Sequence, residues 1–290
     1  MSESHPTHLP DLSGRTAIVT GASGGLGRET ARALAAAGAR VVLAVRHVDK
    51  GRAVAAELPG RTEVRALDLA DLASVRRFAD DWQGDVSLLV NNAAAIYPPE
   101  LTRTKDGFEA QFGVNHLGHF ALTQLLREHL TGRVVSISSA AHAARLDLDD
   151  PNWEHRRYNA FRAYNESKLA VLLFTLELQR RLTAAGSAVL ATAAHPGWAA
   201  TGALSDARGF VPSLMRLTTP LFASSAATGA RPTLYAATAD IPGGTYVGPG
   251  VLQMYGAPKP AQLSKAVRDP EPARRLWEVS ERLTEVSVRD

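Results

Sequence analysis

Two residues four apart, Tyr164 and Lys168, sit in the stretch Ala163-Tyr164-Asn165-Glu166-Ser167-Lys168. The residues that follow, with Leu169, Leu172, Leu173 and Leu176, have the spacing of one helix face. On a helix the two side chains project from the same side, within reach of one ligand. A neighbouring ammonium favours the phenolate, so Lys168 is expected to lower the Tyr164 pKa from its ordinary value of about 10. The phenol could then donate and accept a proton near neutral pH. The competing account is an interfacial tyrosine and a solvated lysine on an ordinary amphipathic helix.

A second group is Thr20-Gly21-Ala22-Ser23-Gly24-Gly25-Leu26-Gly27, between a predicted strand over 16–20 and a predicted helix over 25–37. Glycines here let the backbone approach a pyrophosphate, and the free N–H groups of the helix start favour an anion. The expected contacts are Gly21, Ser23, Gly25, Leu26 and Gly27. The residues Gly21-Ala22-Ser23-Gly24-Gly25 also fit a nucleophile elbow, which would make Ser23 the nucleophile of an α/β serine hydrolase. Against that, the match falls on the first strand, and Thr20 and Gly27 are explained only by dinucleotide binding. At the tip of the second predicted strand (40–45) stands Arg46 where an acid would grip ribose hydroxyls. An arginine there suits a 2′-phosphate, so NADP(H) is the expected cofactor, with NAD(H) as the alternative. His116, His119, His142 and His195 lack a metal-ligand spacing, so no metal is expected.

Positioning these residues requires a particular order of elements. Apolar strands are predicted over 16–20, 40–45, 62–68, 87–91, 133–138 and 188–195. Helices are predicted over 25–37, 50–58, 71–82 (capped by Asp71), most of 105–130, the Tyr164 segment and 273–283. Continuous apolar strands alternating with helices predict an α/β fold, a doubly wound parallel Rossmann-like sheet in three α/β/α layers. Residues 246–251 are expected to form a last edge strand. No composition break divides the chain, so one domain is expected over 13–290, after a loose tail over 1–12. Weak periodicity after Gly197 suggests a substrate lid at about 198–230, with a loop packed on the core as the bland alternative.

Composition limits the function classes. The chain has 290 residues, 45% of them hydrophobic and 21% charged, with a net charge of +3, which is globular composition. The arginine pairs are scattered, so no nucleic-acid stripe is expected. Cysteine is absent, which excludes disulfides and thiolate metal sites and fits a reducing, cytoplasmic compartment. No apolar run approaches the roughly eighteen residues of a spanning helix, and the polar start predicts no signal sequence.

Taken in order, these motifs resemble the short-chain dehydrogenase/reductase family in its single-domain form. Beside the glycine turn, Asp68-Leu69 is similar to the adenine-contacting position after strand three. Asn91-Asn92-Ala93-Ala94 resembles N-N-A-G, with Asn91 and Ala93 near the cofactor. Ala94 departs from the family glycine, and crowding of that turn is expected. Asn115 in VNHLGHF matches the helix asparagine of the catalytic group, Ser139 the second serine of the pair ending strand five, and Tyr164 with Lys168 the Y-x-x-x-K. His195-Pro196-Gly197 with Thr201 is similar to the segment that meets the nicotinamide, through Pro196, Gly197 and Thr201. The inserted stretch 146–153, DGFEAQFGVNHLGHF and the closing 276–280 resemble the retinol-dehydrogenase-like and WW-domain-oxidoreductase-like branch.

The resemblance implies hydride transfer between a nicotinamide and an alcohol or carbonyl carbon of an apolar small molecule. Ser139 would hold the substrate oxygen, Tyr164 would move the proton, and Lys168 would tune Tyr164 and grip the nicotinamide ribose, while Asn115 would support a proton path. It also implies a homodimer or homotetramer. Expected substrate walls are Tyr97, Pro98, Pro99, His142, Trp198 and 204–222. A non-catalytic dinucleotide-binding regulator is the non-enzymatic alternative, against which the intact Ser139, Tyr164 and Lys168 argue.

Overall fold

The first strand, β1 (Thr16–Thr20), is apolar at nearly every position because both its faces are covered. Ile18 points into one core, and Ala17 and Val19 into another, as strand alternation requires. The protein is described by a computed structural model over residues 9–197 and 225–287. Its remaining strands are β2 (Arg40–Val45), β3 (Arg61–Ala66), β4 (Val86–Asn91), β5 (Leu130–Ile137), β6 (Leu190–Ala194), β7 (Tyr246–Val251) and β8 (Tyr255–Pro260). They form one eight-stranded sheet in the order β3-β2-β1-β4-β5-β6-β7-β8. All neighbours are parallel except β7 and β8. The chain reverses its winding between β1 and β4, the point at which an open α/β sheet presents a crevice to ligand.

One helical layer contains α1 (Gly25–Ala36), which shares a core with the later helix α7 (Ala226–Thr238). The helix α2 (Val48–Ala56) packs through Val54 into that core. The other layer holds α3 (Leu72–Asp80), a broken helix over 110–125, α6 (Ala160–Ala184) and the closing α9 (Pro270–Thr284). The broken helix consists of α4 (Ala110–Phe112), a π turn (Gly113–Leu117) and α5 (Gly118–Leu125). A short α8 (Lys265–Arg268) precedes α9. Side-chain caps mark helix starts around the site: Asp71 accepts from Ser74 N, Asn159 from Arg162 N, and Glu109 from Phe112 N.

Several expectations shift. The helix expected across 105–130 begins only at Ala110, because Thr104 N bonds Phe108 O and closes a turn first. It ends by Leu125, and β5 starts at Leu130. The strand 246–251 is not the edge; β8 pairs beyond it. Of the tail expected over 1–12, residues 1–8 lie outside the described residues, whereas Leu12 is buried and donates to Ala37 O at 2.7 Å. Most of the lid expected at 198–230 also lies outside them, and residues 226–230 open α7 with Ser225 as cap. Among the described residues no helix is long and apolar enough to cross a membrane.

Candidate active site

The glycine turn is bolted to the end of β4 by one buried hydroxyl. Thr20 Oγ1 accepts from Asn92 N and Ala93 N, each at 2.9 Å, and lies 2.9 Å from His119 Nε2. His119 Nδ1 lies 3.1 Å from Asn115 O. A carbonyl can only accept, so Nδ1 carries the proton and Nε2 accepts from Thr20. Burial pulls the His119 pKa down to about 4 and keeps the ring neutral. Gly21 has φ 66, and a Cβ on it would come within 2.9 Å of Ala93 Cα. A Cβ on Gly27 would meet Asn92 Nδ2 and Gly21 O, each at 2.6 Å. The crowding expected at Ala94 therefore falls on Ala93: Ala94 is exposed and is not among the positive-φ residues.

The turn has the features of a dinucleotide cradle. Gly25 opens to empty space with φ 52, and α1 begins there. Asn91, at the tip of β4, is 3% exposed; its Nδ2 donates to Thr123 Oγ1, but its Oδ1 has no partner. An orphaned buried acceptor at this place fits a ligand donor. Asp68 Oδ1 accepts from Ala70 N at 3.0 Å, and Leu69 is buried against Gly118. Arg46 is exposed at the tip of β2, beside His47. A second cation was missed by sequence reasoning: Lys50 Nζ comes within 4.0 Å of where a Gly24 Cβ would stand. Its position one turn beyond Arg46 at the start of α2 was the available signal.

At the neighbouring strand ends the predicted catalytic residues converge. Lys168 Nζ donates to Ile137 O at 2.9 Å, and Ser138 Oγ donates to Lys168 O at 2.8 Å, which knits α6 to the end of β5. Ser139 comes next, with its carbonyl accepting from the Tyr246 hydroxyl at 2.8 Å. A hydrogen bond with Ser139 favours the ionised Tyr164, but burial dominates and pushes the phenol up to about 12. Burial also draws Lys168 down to about 8. Burial therefore outweighs the lowering expected from Lys168, and the net shift of Tyr164 is upward. The ammonium stands 5.7 Å from the ring centroid and donates one of its three N–H groups to Ile137 O. Tyr164 in this state is an acid.

Asn115 lies in the π turn. Its Oδ1 accepts from Ala95 N at 2.7 Å, and its Nδ2 donates to Ala95 O at 3.1 Å and Ser167 Oγ at 2.9 Å. Ser167 Oγ in turn donates to Tyr164 O at 2.7 Å. A continuous chain thus runs from Thr20 through His119, Asn115 and Ser167 to Tyr164. His195 Nδ1 accepts from Gly197 N at 3.3 Å, and Pro196 and Gly197 are partly exposed. Thr201, Trp198 and 204–222 lie outside the described residues. Of the expected walls, Tyr97 meets Tyr164 with ring centroids 4.8 Å apart, and Pro98 and His142 are half-buried. Among the described residues no histidine hydrogen-bonds Ser23, and His119, which reaches this turn, is engaged by Thr20. That counts against the hydrolase alternative.

The inserted segment before α6 is built around Arg156. Its guanidinium is bidentate to Glu166 (2.9 and 2.7 Å) and lies 3.7 Å over the Trp153 ring. Asn152 Oδ1 accepts from Glu109 N, which fastens the segment to α4.

A family model described as short chain dehydrogenase matches residues 15–209. The chain is 42% identical to retinol dehydrogenase 13 of Homo sapiens, over 94% of this chain and 85% of that protein. A crystal structure of a protein from Mycobacterium paratuberculosis is 49% identical, with a TM-score of 0.85 and 96% of each chain covered. A short chain dehydrogenase from Burkholderia cenocepacia, solved in complex with NADP, is 26% identical with a TM-score of 0.64, covering 85% of this chain and 98% of that one.

Proposed function

We propose that this chain, which belongs to the short-chain dehydrogenase family and is an NAD(P)-dependent oxidoreductase of alcohol and carbonyl groups, uses NADP(H) on a small apolar substrate through Ser139, Tyr164 and Lys168. The observation that carries the catalytic assignment is the convergence of those three side chains at the end of β5 and the start of α6, linked by the Thr20–Tyr164 chain to the glycine turn.

When bound, the dinucleotide supplies or accepts the hydride at its nicotinamide ring. Gly21, Ser23, Gly25, Leu26 and Gly27 would hold its pyrophosphate, with Asp68, Leu69, Asn91 and Ala93 around the adenosine side and the neighbouring ribose. Pro196 and Gly197 would meet the nicotinamide, and Thr201 joins them by the motif alone. In carbonyl reduction, Ser139 Oγ donates a hydrogen bond to the substrate oxygen and stabilises the charge that builds there. Tyr164 gives its hydroxyl proton to that oxygen, which the raised pKa suits, since the phenol is protonated across the neutral range. The buried Lys168 ammonium, 5.7 Å from the ring centroid, would stabilise the phenolate that the transfer leaves. Asn115 holds the Ala95 segment and the Ser167 hydroxyl that supports the Tyr164 backbone.

Arg46 and Lys50 support the phosphorylated cofactor, since two cations flank the turn where a 2′-phosphate would lie and β2 ends without an acid. The cysteine-free composition supports a cytoplasmic setting, and homodimer or homotetramer formation is proposed by family likeness. The deciding experiment is NADPH oxidation against a panel of aldehydes and ketones of graded apolarity, with Tyr164→Phe alongside. Turnover should fall by about three orders of magnitude or more, as loss of a general acid predicts; a Tyr164→Phe enzyme that keeps wild-type turnover removes the mechanism.

A further inference from the structure

The chemistry above leaves a buried polar cluster below Tyr164 without a role. Gln111 is fully buried and uses both ends of its amide. Its Oε1 accepts from Tyr97 N at 3.0 Å, and its Nε2 donates to Ala160 O at 2.9 Å and to the Tyr158 hydroxyl at 3.2 Å. These partners belong to the loop after β4, the first residue of α6 and the inserted segment. The Tyr158 hydroxyl donates onward to the buried Glu109 at 3.1 Å. One helical turn beyond Gln111, Asn115 grips Ala95 by both backbone groups. The loop is therefore held at Ala95 and at Tyr97 by two side chains of the same broken helix.

The held residue is strained. Tyr97 has φ 48, a conformation that costs a non-glycine residue about 1 kcal/mol or more. Such strain persists only where surrounding contacts overdetermine it, and these two clamps do so. Its product is a placement: the Tyr97 ring, 9% exposed, tilts against Tyr164 at 4.8 Å and stacks on Phe161 at 5.9 Å. A phenol delivering a proton must meet an oxygen at hydrogen-bond distance, and a displacement of about 1 Å can cost about a hundredfold in rate.

We infer that Gln111 and Tyr97 form a positioning unit, in which Gln111 locks the strained loop and the Tyr97 ring sets the orientation of the Tyr164 phenol. The inference rests on the proposed role of Tyr164 as proton carrier. An apolar residue at 111 would leave the N–H of buried Tyr97 without its partner, which explains an amide in this place. Tyr97 meets Tyr164 ring against ring, with centroids 4.8 Å apart.

The test uses the full chain, NADPH and whichever carbonyl of the panel the wild type reduces fastest. Tyr97→Phe, which keeps the ring, should retain more kcat than Tyr97→Leu, while Tyr97→Leu and Gln111→Met should each lose about tenfold or more in kcat with the KM for NADPH unchanged. The groups facing Tyr164 are Ser139, Lys168, Tyr246 and Tyr97; removing the Tyr97 ring admits water, so the alkaline limb of the kcat profile should move to lower pH in Tyr97→Leu. Unchanged kcat in Tyr97→Leu, or an equal loss in Tyr97→Phe, overturns the inference. Should Gln111→Met fail to melt cooperatively, Tyr97→Leu decides alone. A Tyr164→Phe enzyme that still turns over sinks the proton-carrier role instead, whereas an inactive Tyr164→Phe beside a normal Tyr97→Leu sinks this inference only.

Discussion

Replacing Thr20 with valine keeps the shape of the side chain and deletes the hydroxyl that joins the glycine turn to β4 and α5. Thr20 is fully buried. The change strips partners from Asn92 N and Ala93 N, each at 2.9 Å, and from His119 Nε2 at 2.9 Å. The two amides belong to half-buried residues and should cost about 0.5–1 kcal/mol each, because water reaches them in part. The His119 nitrogen is sealed in the core and should cost about 1–2 kcal/mol. The expected loss is therefore about 2–4 kcal/mol, a large share of a typical 5–15 kcal/mol stability. Urea unfolding followed by circular dichroism would measure it, and NADPH fluorescence would report cofactor affinity, which should weaken because Gly21 follows directly. Thr20→Ser, which restores the hydroxyl, should recover most of both. A Thr20→Val protein within about 0.5 kcal/mol of wild type would refute the hub, since surface-like effects are of that size. So would a Thr20→Ser protein as weak as the valine variant.

The other expectations concern separate sites. Arg46→Asp should raise the kcat/KM ratio of NADH over NADPH at least about tenfold, by removing one cation and adding an anion where a 2′-phosphate would bind; an unchanged ratio removes the basis for NADP(H). Lys168 has its pKa lowered to about 8 by burial, so the folded state disfavours its charge. That penalty is fully present below about pH 8 and is relieved as pH rises from there toward the unfolded value of about 10.4. Lys168→Met should thus be inactive yet more stable than wild type at pH 7, by on the order of 2–3 kcal/mol, with the gain shrinking above pH 8; equal stability at both pH values would contradict it. Gly248→Ala should destabilise by about 1–3 kcal/mol or more, because the new Cβ would stand 1.8 Å from His195 Nε2, whose ring is buried between Gly248 and Tyr246. A melting temperature equal to wild type would show that the ring can move aside.

The sheet was readable because both its faces are covered. TAIVT, RVVLAV and SLLVN each carry an unbroken apolar run, and the order of strands and helices follows from them. Asp71 was readable as a cap because its chemistry is local. β8 was not, because Tyr255–Pro260 is nearly all exposed and contains Pro258 and Pro260, so it lacks any apolar signal. The break at Gly113–Leu117 was hidden because a π turn leaves the apolar pattern on both sides intact. At the site, spacing marked Tyr164 and Lys168 and the family resemblance marked Ser139, but the direction of the tyrosine shift was not legible, since burial depends on what packs around it. Gln111 and His119 act through residues far away in the chain, which no local pattern encodes.

The same prolines that hid β8 decide how this sheet ends. Ala261 N bonds Tyr246 O, so by ladder alternation the residues at 258 and 260 turn their backbone outward. Both are proline and offer no donor on that side. At the opposite margin, β3 carries Arg61, Glu63 and Arg65, with Glu63 tied to Arg40 and Arg65. Missing donors at one border and paired charges at the other disfavour strand pairing with another molecule, a protection against aggregation while nascent chains are crowded. Copies of this protein that assemble are expected to meet through helices or loops rather than through these strand edges.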